Sequence, residues 1–173
     1  MFKKLFVFIT VILFSLSFFT FAQENLQEQT GLELELSAFI VNTIKDADGN
    51  DKEVFVPATR AQAGQVIEYR VSAVNNGENV IPAASAKISV PIPGVTSYVD
   101  GSALENDLYR LEFSVDEGRN FAVAPLMRTI KNDKGEEVEE IIDPSEYQLV
   151  RWTILKQIEP KERHIFSYRV EVK

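Results

Sequence analysis

Apolar and polar residues alternate along several stretches of this chain, and the clearest of them lies within residues 63–82. One parity of this stretch is apolar: Ile67, Tyr69, Val71 and Ala73. The other parity is polar: Glu68, Arg70 and Ser72. Because successive side chains of a pleated strand point to opposite faces, the pattern predicts a half-buried β-strand. Asn75, Asn76 and Gly77 follow it, and these residue types tolerate the positive φ of a chain reversal.

Further stretches also read as strands, and no helical pattern of ten or more residues separates them. They are residues 32–41, 53–56, 86–90, 95–99, 109–115, 121–130, 148–155 and 164–172. In the first of these, leucines alternate with glutamates, so we expect its aliphatic face to be buried. Charged turn clusters at 45–52 and 131–136 predict two hairpins. The pattern therefore predicts an all-β, antiparallel β-sandwich formed by residues 32–173.

The first residues differ from the rest of the chain. A short basic start is followed by an apolar run from Leu5 to Phe19, and Thr20-Phe21-Ala22 offers small residues for cleavage. This arrangement predicts a signal-peptide helix at 1–22, with an uncleaved membrane anchor as the alternative. Residues 23–31 are polar and predict a flexible leader. We therefore expect export to the periplasm, the cell surface or the extracellular space, with no stable membrane span after cleavage.

Composition adds two constraints to this picture. The formal net charge is −8 and would become −10 after cleavage, since Lys3 and Lys4 leave with the signal peptide. An acidic protein is repelled by nucleic acid and by anionic membrane surfaces, so neither is an expected partner. The chain has 0 cysteines, so no disulfide holds the fold and the core must stabilise it alone.

Particular residues between 58 and 173 also resemble a known family. They are Gly64, Tyr69, Val71, Asn75, Gly77, Pro91-Ile92-Pro93, Tyr98, Gly101-Ser102, Trp152-Thr153, Pro160 and residues 168–172. In this order they resemble the conserved repeat domain of prokaryotic exported and surface proteins, also called domain of unknown function eleven. The resemblance implies an immunoglobulin-like β-sandwich without known catalysis. The chain departs from the family pattern at 63–65, at Val90 and at Pro160-Lys161, and it carries one copy, so a role as a repeating stalk does not transfer.

The resemblance also bears on the connection that begins at residues 75–77. Asn-Gly between two strands is typical of a tight hairpin. In an immunoglobulin-like sandwich, however, this connection crosses from one sheet to the other. Pro82 and the small residues at 83–86 would make a poor tight ladder, so we predict the crossing.

Candidate chemistry is sparse. His164 is the only histidine and has the parity of Phe166 and Tyr168, which favours a buried structural role over a general base. The acidic turn at 46–51 fails the calcium-loop pattern, because the sixth and twelfth positions are Asp51 and Pro57. The glutamates at 136–140 are interpreted as charges that flank a hairpin and discourage edge pairing. We expect no catalytic, cofactor-binding or metal-binding residues.

The leading hypothesis is a non-enzymatic cell-envelope module with a structural or protein–protein interaction role, whose partners are envelope or surface proteins. Self-association is compatible with the sequence. The alternative is a carbohydrate-binding module, which would need a platform of exposed aromatic residues such as Tyr98, Tyr109, Tyr147 or Trp152. Trp152 shares its parity with Val150 and Ile154, which predicts that its indole is in the core. An enzyme is the third hypothesis and lacks a recognisable site.

Overall fold

The structure, a computed structural model, describes residues 31–173. The predicted signal peptide at 1–22 and the predicted leader at 23–31, apart from Gly31, lie outside the described residues. The described chain folds into β-strands and one short 3-10 helix, Pro144–Glu146. The strands are β1 (Leu32–Lys45), β2 (Asp51–Pro57), β3 (Val66–Asn75), β4 (Lys87–Pro91), β5 (Thr96–Tyr98), β6 (Tyr109–Ser114), β7 (Met127–Lys131), β8 (Glu137–Ile141), β9 (Leu149–Ile154) and β10 (Arg163–Val172).

Two antiparallel sheets form the sandwich. The wide sheet has five strands in the order β2-β1-β3-β10-β5, and the narrow sheet has three in the order β4-β9-β6. A separate two-stranded hairpin joins β7 to β8. Every strand pair is antiparallel and the buried side chains form one core, so the predicted fold class, an all-β antiparallel β-sandwich, is confirmed. That the sandwich is immunoglobulin-like stays a prediction. No helix within residues 31–173 has the length and apolarity that a membrane crossing requires.

Aromatic contacts show which strands of the two sheets face each other. The rings of Trp152 on β9 and Phe166 on β10 have centroids 5.3 Å apart, and those of Phe113 on β6 and Tyr98 on β5 are 5.0 Å apart. Since β9 and β6 lie over β10 and β5, the remaining narrow strand, β4, lies toward β3. The wide sheet therefore extends past the narrow sheet on the side of β1 and β2.

The connection after β3 crosses between the sheets, as predicted. β3 belongs to the wide sheet and β4 to the narrow one. Asn75 is fully buried where the crossing starts, and its side chain holds the loop: Nδ2 donates to the carbonyls of Asn79 (2.8 Å) and Ile158 (3.1 Å). Its Oδ1 accepts a hydrogen bond from the backbone N–H of Gly77 at 3.0 Å. A buried amide satisfied in this way fixes the direction of the chain.

One predicted strand is wrong in its extent. Residues 121–130 were expected to be a single strand, but the strand there, β7, is only Met127–Lys131. Before it, Ala122 forms an isolated bridge with Phe113 of β6, and the chain then turns through Pro125. Proline has no N–H to donate, so residues 121–126 cannot continue the ladder. In this irregular segment Leu126 is buried, whereas residues 122–125 are exposed.

Candidate binding surface

The four aromatic residues that could have formed a sugar-binding platform all lie in the core. Tyr98, Tyr109, Tyr147 and Trp152 are each at most 8% exposed. Trp152 is fully buried, and its Nε1 donates a hydrogen bond to the carbonyl of Leu104 at 2.8 Å. The predicted inward direction of Trp152 is confirmed. These residues build the sandwich and leave no aromatic surface of their own for a sugar ring.

His164 is buried at the start of β10, as its parity predicts. Its Nδ1 lies 2.9 Å from the hydroxyl of Tyr109, and its Nε2 lies 3.2 Å from a carboxylate oxygen of Glu162. Burial raises the pKa of the Tyr109 hydroxyl above its usual value, because the low-dielectric surroundings disfavour the phenolate. The arrangement is a buried polar contact between β6 and β10.

The acidic turn at 46–51 connects β1 to β2. Oδ1 of Asp46 accepts hydrogen bonds from the backbone N–H groups of Asp48 and Asn50, both at 2.9 Å. These bonds, that from Asn50 above all, hold the pKa of the Asp46 carboxyl below its usual value. The carboxylate therefore stabilises the turn. Within residues 31–173 the structure brings together no three His, Cys, Asp or Glu side chains able to hold a metal ion.

The largest departure from the sequence prediction is on β1. Leu34 and Leu36 pair with Ala73 and Val71 of β3, so they point to the inner face of the wide sheet, as their parity predicts. Val71 is 3% exposed, whereas Leu34 is 39% exposed and Leu36 is 56% exposed. The expectation that the aliphatic face of β1 is buried is therefore wrong for these residues. The narrow sheet ends at β4 and does not reach them.

The uncovered region continues onto β2. Val56 pairs with Ile40 of β1 and is 48% exposed, and Ile44 of β1 is exposed on the same face. We call Leu34, Leu36, Ile44 and Val56 the uncovered face. The polar inward-facing side chains of this region are Asn42 and Lys52, so it carries no carboxylate although the protein is acidic. A contiguous apolar region of this kind marks an interaction surface.

The opposite, outer face of these strands is polar and tightly connected. Arg169 of β10 donates two hydrogen bonds to Glu53 of β2, at 2.7 and 2.6 Å, and a third to Glu68 of β3 at 2.9 Å. Glu68 also accepts from Arg70 at 2.6 Å, and the Arg70 guanidinium lies 4.3 Å from the ring centroid of Phe55. These contacts fasten the β1–β2 hairpin to the rest of the sheet, and so they hold the uncovered face in place.

The same contacts shift the pKa values of the groups involved. The hydrogen bonds from Arg169 lower the pKa of the Glu53 carboxyl, and those to Glu53 raise the pKa of Arg169. Each group is thus stabilised in its charged form. Glu68 has the parity of an exposed residue but is buried, because Arg169 and Arg70 cover its carboxylate. No local sequence pattern indicates this contact, since Glu68 and Arg169 are 101 positions apart.

The β7–β8 hairpin is a second exposed feature. Of the glutamates interpreted as flanking the hairpin, only Glu136 precedes β8; Glu137, Glu139 and Glu140 lie within that strand. Glu140 pairs with Arg128 at 3.1 Å. Apolar side chains of this hairpin are also exposed on both of its faces: Met127, Ile130, Val138 and Ile141. They alternate with charged residues, so they form no continuous apolar strip. The uncovered face of β1 and β2 is therefore the stronger candidate surface.

Comparisons of the chain with protein-family models, with curated proteins and with solved structures find no match. The resemblance to the conserved repeat domain stays a prediction.

Proposed function

We propose that this protein is a non-enzymatic module of the cell envelope that binds another protein through the uncovered face of β1 and β2. The observation that carries the proposal is the inward-facing, carboxylate-free row of apolar side chains that the narrow sheet does not cover. Exposing such a row to water costs free energy in proportion to its apolar area, and a partner that covers it recovers that free energy. The basic and apolar start of the sequence supports export.

The polar contacts described above support a binding role rather than a catalytic one. His164 faces a tyrosine hydroxyl and a glutamate instead of a serine or cysteine nucleophile. The carbohydrate-binding alternative loses support, because the four aromatic residues that it would use are in the core. The apolar surface suits a protein partner, since protein interfaces have an apolar centre and a polar rim.

Site-specific photo-crosslinking in living cells tests this function. A photoreactive side chain replaces Leu36 in one version of the protein and Ile165 in another. The two positions are matched: Leu36 is 56% exposed on the inner face of the wide sheet, and Ile165 is 53% exposed on its outer face. We expect a discrete crosslinked protein from position 36 and none from position 165.

Equal crosslinking from both positions would contradict the proposal, because it would show that partners do not prefer the uncovered face.

A second test is cell fractionation followed by sequencing of the N-terminus. We expect the processed chain to begin at or near Gln23 and to be found outside the cytoplasm. Finding the protein in the cytosol with Met1 still present would contradict the proposed location in the cell envelope.

A further inference from the structure

The free edge of β4 lies beside the uncovered face. In the ladder between β4 and β9, Ile92 N–H donates to Gln148 (2.7 Å) and Ile154 N–H donates to Ala86 (3.0 Å), so even-numbered positions of β4 form the hydrogen-bonded pairs. In an antiparallel ladder the intervening residues turn their backbone groups away from the partner strand. Lys87 and Ser89 therefore direct their N–H and C=O groups to the sheet edge.

These edge groups have no partner in the part of the chain that the structure describes. The backbone N–H groups of Lys87 and Ser89 donate no hydrogen bond to any group within residues 31–173. The edge runs along the side of the sandwich where the wide sheet extends past the narrow one. The unpaired edge groups can hydrogen-bond to the backbone of one further strand, and the uncovered apolar face can contact the side chains of that strand.

We propose that an extended segment of a partner protein adds to the free edge of β4 as a fourth strand of the narrow sheet and covers Leu34, Leu36 and Val56. This inference rests on the proposed function and specifies the class of partner. The main chain of the segment pairs with Lys87 and Ser89, and every second side chain packs on the uncovered face. Strand addition of this kind takes its affinity from backbone hydrogen bonds and its specificity from alternate side chains.

The dimensions of the site favour a single strand over a second folded copy of this protein. The uncovered face runs along β1 from Leu34 to Ile44, and β2 (Asp51–Pro57) adds a second strand only beside residues 39–45. At about 4.8 Å per strand and about 3.3 Å per residue its area is about 300 Å². A stable interface between folded proteins needs about 800 Å² on each partner. Along Leu34 and Leu36, however, the face is only one strand wide, because β2 pairs with β1 from Phe39 onward. One added strand matches that width, and its edge hydrogen bonds supplement the apolar contact.

Charge specifies the outward-facing side of the added strand. Lys87 points away from the core at the edge of β4 and has no carboxylate within 4.0 Å among residues 31–173. An acidic side chain on the adjacent strand would lie across from it, and opposite charges in neighbouring strands attract. At physiological salt the negative charges elsewhere on the protein are screened over about 8 Å, so Lys87 dominates locally. The fitting segment therefore alternates apolar and acidic residues.

Peptide binding tests the proposal directly. The probe is a ten-residue peptide of alternating leucine and glutamate, and its composition control carries five leucines followed by five glutamates. Affinities for the purified protein are measured by calorimetry. We expect the alternating peptide to bind, the block peptide to bind at least about tenfold more weakly, and an alternating leucine–lysine peptide to be similarly weak.

Four variants locate the site. Ser89→Pro removes an edge N–H that the fold does not use, and Leu36→Glu places a charge on the uncovered face; each should weaken binding about tenfold or more. Ile165→Glu is the control at matched exposure on the outer face and should bind normally. Lys87→Glu should reverse the preference toward the leucine–lysine peptide. Circular dichroism confirms that each variant is folded before its affinity is compared.

The outcomes separate this inference from the proposed function. If Ser89→Pro binds like the native protein while Leu36→Glu does not, strand addition is wrong, yet the uncovered face still binds. If sedimentation shows a dimer that Leu36→Glu abolishes and no peptide competes, the occupant is a second copy and the inference fails. It also fails if the Lys87 and Ser89 amides of the free monomer are already protected from hydrogen exchange, since residues before Gly31 would then fill the site.

Discussion

Replacing Trp152 should cause the largest single loss of stability in this protein. The indole is fully buried and packs against Phe166 and Tyr168, with ring centroids 5.3 and 6.2 Å away. Trp152→Ala removes this packing and leaves a cavity, and truncations of this kind cost about 3–5 kcal/mol. The free energy of unfolding of a domain of this size is only about 5–15 kcal/mol. The variant should therefore unfold at a much lower urea concentration.

A second substitution separates the contribution of ring packing from that of the indole hydrogen bond. Trp152→Phe keeps an aromatic ring in the core but removes the N–H that donates to the Leu104 carbonyl at 2.8 Å. The lost hydrogen bond is partly buried and contributes about 0.5–1.5 kcal/mol, so the stability of this variant should lie between those of the native protein and Trp152→Ala. Val95→Ala is the control, because Val95 is the most exposed large apolar residue described and its truncation should change stability by less than about 0.5 kcal/mol.

The assay is urea denaturation followed by far-ultraviolet circular dichroism, because the only tryptophan is the residue being replaced. In the native protein the same residue reports its own environment, and we expect blue-shifted fluorescence that iodide quenches weakly. The reasoning would be refuted by a loss below about 1 kcal/mol for Trp152→Ala, or by red-shifted and readily quenched emission. Either result would place the indole at the surface.

Three further predictions concern charged side chains. Arg169→Ala should destabilise the protein by about 1–3 kcal/mol in urea denaturation, because it leaves the buried Glu68 with one cation, whereas Arg119→Ala at an exposed pair should be nearly neutral. Hydrogen bonds lower the pKa of the Asp116 carboxyl to about 2, and the one from the Asn120 backbone N–H has the largest effect. The contribution of this carboxylate to folding stability is therefore present above pH 4 and is lost as the pH falls toward 2. Asp116→Asn should therefore narrow the stability difference between pH 4.5 and pH 2. Adding a calcium chelator should leave the melting temperature unchanged, since the Asp46 carboxylate is occupied by backbone N–H groups.

Each of these has a clear contrary result. Equal losses for Arg169→Ala and Arg119→Ala would mean that the outer-face contacts do not hold the hairpin. An unchanged acid sensitivity in Asp116→Asn would place the titrating group elsewhere. A large drop in melting temperature on chelation would make the turn at 46–51 a calcium site.

The sequence by itself determined where most of the strands lie and which face most of their residues present, although it extended one strand over residues 121–126. Alternation places Ile67, Val71 and Ala73 on the buried face, and parity alone turns Trp152 into the core. The turn clusters at 45–52 and 131–136 mark the two hairpins correctly. These features are local, because the two-residue period of a pleated strand and the φ preferences of turn residues need no information from distant parts of the chain.

Only the tertiary structure decided what covers each face. Leu36 and Val71 are paired neighbours that point to the same face of the wide sheet. One is exposed and the other is buried, because the narrow sheet stops at β4. Glu68 occupies a position of β3 that alternation predicts to be exposed, but it is buried because Arg169, 101 positions away in the sequence, hydrogen-bonds to it and covers it. A strand pattern assigns a side chain to a face of its own sheet, whereas exposure depends on the width of the opposite sheet and on distant side chains. The candidate surface follows from that second kind of information.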